Sequence, residues 1–130
     1  MIKNSKNSVN ADSQKAEVRS FADADETRVF PLGKLELLKV GEKIIGKATC
    51  SPGWKWSESV KPIAQTESCE APHMQYHVSG ILRIRMDDGT EFDCKAGDIS
   101  ILPPGHDAWV VGNEPVVVVD FQGMVEYAKK

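Results

Sequence analysis

The chain has 130 residues, of which 41% are hydrophobic and 27% charged, enough for one globular domain and ordinary for one. A formal charge of −3 and a pI near 5.6 argue against a general nucleic-acid surface. No apolar run approaches the ~20 residues that a membrane helix needs, and no secretory leader is expected from the polar first residues.

Residues 1–26 are rich in Asn, Ser, Lys and Asp, with Val9, Val18 and Phe21 as the few large apolar groups. Such a segment buries too little surface to offset its ordering entropy, so it is expected to be a mobile arm. A short helix over 14–21 is the local alternative, and Phe21 the anchor if the arm packs on a partner subunit. A domain is expected over 27–130.

Short β-strands follow. Lys43–Cys50 reads as a strand, broken by Ser51-Pro52-Gly53. Trp54-Lys55-Trp56-Ser57 alternates, which in an extended chain places both indoles on one face. Leu82, Ile84 and Met86 alternate with Arg83 and Arg85, and Asp87-Asp88-Gly89 signals a tight hairpin. Ile99 and Ile101 share a face of a strand stopped by Pro103-Pro104-Gly105, and Val116–Val119 suits a buried strand. Residues 124–130 read as a last short strand or a frayed end. No strong helix signal interrupts the pattern, so the fold class is all-β, of sandwich or barrel type.

All three histidines lie in two short stretches. His73 and His77 follow Glu67 and Cys69 in the run from Glu67 to Gly80, and His106 lies in the run from Gly97 to Asp107. Cys50, Cys69 and Cys94 form an odd set with no close pair, which points to free thiols in a reducing, cytoplasmic setting rather than a disulfide framework.

These stretches resemble the two motifs of the cupin family, whose fold is a small jelly-roll β-barrel. Gly80 matches the closing glycine of the first motif, and the spacing then puts His73 at the family's glutamate, Cys69 and Glu67 at its two histidines, and Lys61 at its opening glycine. In the second motif Gly97, Pro103 and Gly105 fit, while Ala108 stands at the histidine position, Gly112 at the asparagine position, and His106 two residues before Ala108. Spacing is kept and the ligand types are rearranged.

The resemblance implies that these strands face a common lumen, where Cys69, His73 and His106 would bind a divalent metal and Glu67 would be a further ligand or the general base. Thiolate with imidazole favours Zn²⁺ or Fe²⁺ over Mg²⁺ or Ca²⁺. Each candidate also has a plainer reading: Cys69 as a small buried hydrophobe, His73 as a loop histidine bonded to a carbonyl, His106 as a turn residue held by Asp107, and Glu67 as a surface carboxylate paired with Lys61 or Arg83. His77, four residues beyond His73, would lie ~13 Å along the strand, too far for the same ion, and is expected to line the pocket or fill the core. Trp54, Trp56 and Trp109 could wall a pocket, the plainer reading being barrel core and subunit contact. Three functions follow: a metal-dependent enzyme acting on a small organic molecule, a small-molecule sensing module without turnover, or an apo barrel kept as an interaction domain. Open strand edges lead to the expectation of a homodimer.

Overall fold

A computed structural model describes residues 15–130. Among these residues nine strands form two antiparallel sheets. The larger has the order β1-β2-β3-β9-β4-β7 and the smaller β6-β5-β8. The strands are β1 (Glu26–Phe30), β2 (Gly33–Val40), β3 (Lys43–Cys50), β4 (His73–Ser79), β5 (Ile81–Met86), β6 (Glu91–Lys95), β7 (Ile99–Leu102), β8 (His106–Val111) and β9 (Val116–Asp120). The two hydrogen-bonded ladders are not joined, so the expected barrel takes the form of two sheets sharing one core rather than a closed cylinder.

Alternation governs which side chains enter that core. Along β4, His73, Gln75 and His77 are buried while Met74, Tyr76 and Val78 are exposed. On β9, Val116, Val118 and Asp120 turn inward, and on β8, His106, Ala108 and Val110 do so. Leu82 and Ile84 on β5 complete the opposite wall. Gly80, at φ +76°, makes the sharp step from β4 to β5; a Cβ there would lie 2.5 Å from the Pro115 carbonyl oxygen.

Two segments depart from the sequence expectations. Trp54–Ser57 is not an extended strand. Trp56–Ser59 and Lys61–Ala64 are single helical turns, and the first is pinned from 50 residues away by the Asp107 carboxylate, which accepts from the Ser57 backbone N–H at 3.0 Å. Long-range capping overrides the local alternation there. Residues 124–130 form neither a strand nor a frayed end. Met124 and Ala128 are buried, and Arg28 donates to the Tyr127 carbonyl at 2.7 Å. At the other end, residues 1–14 of the expected arm lie outside the described residues. The rest of the arm makes definite contacts: Arg19 pairs with Asp25 at 3.0 Å and donates to the Lys39 carbonyl at 2.9 Å, and Lys47 lies over the Phe21 ring. A short 3₁₀ turn at Phe21–Asp23, capped by Ser20, stands in place of the helix considered for 14–21.

Candidate metal centre

Cys69, His73 and His106 meet at one end of the core. All three are buried, and their potential ligand atoms lie within 4.8 Å of one another. The backbone fixes two of them together. Cys69 N–H donates to the His106 carbonyl at 2.7 Å, and Gly105 N–H returns a bond to the Cys69 carbonyl at 2.8 Å. This isolated bridge clamps the loop before β4 onto the start of β8. His73 enters as the first residue of β4, directly after Pro72.

Hydrogen bonds set the histidine tautomers. The Asp120 carboxylate can only accept, so His73 Nδ1, 2.6 Å from Asp120 Oδ2, carries the proton. The Pro103 carbonyl likewise accepts a hydrogen bond from His106 Nδ1–H at 3.0 Å, so that Nδ1 keeps the proton. In the neutral rings both Nε2 atoms are then lone pairs. His73 Nε2 lies 3.6 Å from Cys69 Sγ, close to the ~3.5 Å that tetrahedral bonds to one sulfur and one imidazole nitrogen would require. Asp120, fully buried, also accepts from Gln75 Nε2 at 3.0 Å and from the Gln122 backbone N–H at 2.8 Å. A carboxylate behind a histidine orients the ring and raises its basicity, which is a common arrangement around metal ligands.

Burial pushes the Cys69 thiol up to about 11, with a smaller opposing contribution from a backbone N–H at Ala71. Without a cation the sulfur is a thiol at neutral pH. Burial also lowers the pKa of His106, against a raising contribution from the Pro103 carbonyl.

The other sequence candidates lie elsewhere. Glu67 does not join the cluster: its side chain is 95% exposed and pairs with Lys61 at 3.2 Å, because the loop over 66–72 turns it outward where a regular strand would have kept it beside Cys69. His77 is buried but bonded to Ser100 Oγ at 2.8 Å, away from the centre. Trp54 and Trp56 do line a cavity of about 30 Å³ beside the cluster, together with Gln75 and Ala108. Trp109 faces outward beneath Lys55. Asp120, Gln75 and Tyr127 escaped the sequence reading. Parity could have found the first two, since Asp120 continues the inward series of Val116 and Val118, and Gln75 that of His73 and His77. Tyr127 carried no such signal. Its ring stands edge-on to His73 with centroids 5.6 Å apart, and it separates the cavity from an outer groove of about 420 Å³ bordered by Trp56, Ala71 and Pro72.

The buried histidines make stability depend on pH. Burial, outweighing the nearby Asp98 and Asp120, lowers the pKa of His77 from its ordinary value of 6.5. Below that value the unfolded chain binds protons that native His77 and His106 refuse. Their contribution to stability is therefore full above pH 6.5 and is lost as pH falls toward the depressed values. Thermal melts between pH 7.5 and 5 should show a falling midpoint, and His77→Gln should make the slope shallower; a wild-type midpoint that rises over this range would contradict it.

No family model matches the chain, and no curated protein does. Solved structures do. An RmlC-like cupin from Shewanella frigidimarina NCIMB 400 aligns over 85% of this chain and 95% of its own, with 20% identity and a TM-score of 0.58. A mutant of Bacillus subtilis oxalate decarboxylase OxdC aligns over 79% of this chain but 29% of its own, with 23% identity and a TM-score of 0.58. KdgF from Halomonas sp. aligns over 74% and 83%, with 15% identity and a TM-score of 0.53. Identities this low speak to architecture alone. The inward alternation of β4, β8 and β9, the glycine turns and these alignments agree that the chain has the fold of a small cupin.

Proposed function

We propose that Cys69, His73 and His106 bind one divalent ion, Zn²⁺ or Fe²⁺, and that the protein is a metal-dependent enzyme acting on a small organic molecule. The observation that supports this reading most is the fixed tautomer of both histidines, whose Nδ1–H groups are held by Asp120 and Pro103, which makes Nε2 the lone-pair atom of each ring, that of His73 lying 3.6 Å from Cys69 Sγ. The donor set fits a borderline-soft ion: two imidazoles and one thiolate, with a carboxylate behind one imidazole. Three protein ligands leave a coordination position for a further group, the pattern of catalytic rather than closed structural sites. An ion there would supply Lewis acidity toward an oxygen in that position. The chain's own residues do the rest: Asp120 holds the His73 ring, the Cys69–His106 backbone bridge holds the sulfur, and Tyr127, Met124 and Trp56 exclude bulk water.

A sensing module without turnover is favoured by one feature. Apart from the three ligands and Tyr127, the titratable side chains at the cavity reduce to Cys50, whose thiol burial pushes up to about 12. Elemental analysis of untagged protein tests the metal reading; about one equivalent of metal per chain is expected, and none after reconstitution with Zn²⁺ or Fe²⁺ would overturn it. Anaerobic incubation of loaded protein with small-molecule pools, followed by mass spectrometry, separates the two readings. Product formation indicates the enzyme, and retention of an unchanged molecule the sensor.

The same reading includes a homodimer. Met74, Tyr76, Val78, Ile99, Ile101 and Phe121 are exposed on the outer face of β4, β7 and the end of β9, with Ile99 68% and Ile101 72% accessible. Met74 pairs with Ile101 and Tyr76 with Ile99 across the ladder, and β7 is the sheet edge. These six side chains present roughly 600 Å², against the ~800 Å² per partner of a standard interface. Light scattering at micromolar concentration should give twice the chain mass, and Ile99→Lys with Ile101→Lys should halve it. A wild-type monomer would contradict the dimer.

A further inference from the structure

Two buried polar atoms beside the candidate centre lack any partner: Trp54 Nε1 and Gln75 Oε1. Both residues line the small cavity with Cys69, His73 and His106, and both are nearly inaccessible. The orientation of the Gln75 amide is imposed rather than arbitrary. Its neighbour Asp120 only accepts, so the NH₂ must face the carboxylate, at 3.0 Å, and the carbonyl must point elsewhere. Reversing the amide would set two acceptors against each other. The indole N–H of Trp54 can only donate. Of the residues that line the cavity, one therefore has an unused acceptor and one an unused donor. Each unmade buried bond is costly, and two of them among the lining residues point to an occupant that completes both.

The lining also restricts the charge of that occupant. It contains no Lys or Arg, so in the metal-free protein with the His73 and His106 rings neutral no cationic side chain offsets a carboxylate, and the Gln75 carbonyl would face one with like partial charge. A hydroxyl meets both demands, since its oxygen accepts and its proton donates. The cavity of about 30 Å³ suits a group of one or two heavy atoms.

We propose that Trp54 and Gln75 are specificity-determining residues that select a neutral, hydroxyl-bearing ligand group over a carboxylate, with the hydroxyl oxygen accepting from Trp54 Nε1 and its proton donated to Gln75 Oε1. This deepens the reading of the cavity as a ligand site, and it does not require that the metal be bound.

Methanol and formate, which share a one-carbon frame, are suitable probes. The full chain, labelled with ¹⁵N, is titrated with each, once metal-free and once loaded with Zn²⁺. The three indole N–H signals are followed, that of Trp54 being assigned by its loss in Trp54→Phe. In the metal-free protein, methanol should shift the Trp54 signal saturably and formate should bind at least about tenfold more weakly, the factor associated with one or more mismatched buried hydrogen bonds. Gln75→Met should weaken methanol binding about five- to tenfold, read at the same indole signal. If that variant fails to fold, Trp54→Phe read at the methyl resonance of ¹³C-methanol gives an independent test with the same expected loss. Equal or tighter binding of formate by the metal-free protein, or a methanol shift that stays linear, would overturn the proposal. So would variants that bind methanol as the wild type does, with water the only occupant. Zinc uptake without selective methanol binding would defeat this inference alone; selective binding without zinc uptake would defeat only the metal reading.

Discussion

Replacing His73 with Ala is expected to reduce zinc affinity by at least about 100-fold, since losing an inner ligand should exceed the 10–100-fold typical of losing a group behind one. His73 starts β4, and its ring supplies one of the three converging donors. His106→Ala should give a similar loss. Cys69→Ser should weaken binding less and shift preference away from thiophilic ions. His77→Ala should leave metal affinity unchanged, because its ring is committed to Ser100. Ala108 lines the cavity on the same inward face of β8 as His106, so Ala108→His added to His106→Ala should restore part of the affinity. Isothermal titration with Zn²⁺ under reducing conditions measures all five. Unchanged affinity in both histidine variants would remove the cluster from consideration.

The second large effect is expected at Asp120. Its carboxylate accepts from His73 Nδ1, Gln75 Nε2 and the Gln122 backbone N–H, and it is wholly inaccessible. Asp120→Ala leaves two buried side-chain donors unsatisfied, which should cost about 2–4 kcal/mol of stability after the relief of burying the carboxylate is taken into account. Asp120→Asn keeps one acceptor oxygen toward His73 and Gln75 but sets its NH₂ against the Gln122 backbone N–H, so it should retain part of that stability. It loses the negative charge that raises the basicity of the ring, so zinc affinity should still fall about 10-fold or more. Urea melts and zinc titrations of the same two proteins separate these effects. If Asp120→Asn binds zinc as the wild type does, Asp120 is a structural acceptor only.

Much of this arrangement was legible from strand parity and turn chemistry. The alternation in 81–86 set Leu82 and Ile84 inward, and Gly80 and Pro72 bounded the strand that carries His73. The motif spacing brought Cys69, His73 and His106 into one group even though Cys69 and His73 stand where the cupin pattern has other residue types and His106 lies two residues before its usual place. What escaped was fixed by contacts distant in sequence. Trp54-Lys55-Trp56 alternates like a strand, but the Asp107 carboxylate reaches Ser57 and the chain coils into helical turns. Glu67 shares parity with Cys69, yet parity means nothing in a loop, and its carboxylate pairs with Lys61 outside. Residues 124–130 carry no period. Their place over the core depends on Arg28 gripping the Tyr127 carbonyl and on Gly123, which at φ +80° packs so close to the Pro72 carbonyl that a Cβ has no room.

The most direct test of the proposed centre is X-ray absorption at the zinc edge of the reconstituted, untagged protein. One sulfur at about 2.3 Å and two imidazole nitrogens at about 2.0–2.1 Å, with one lighter scatterer in the remaining position, is the expected shell. A shell made only of oxygen and nitrogen, with no sulfur, would contradict a centre built from Cys69, His73 and His106.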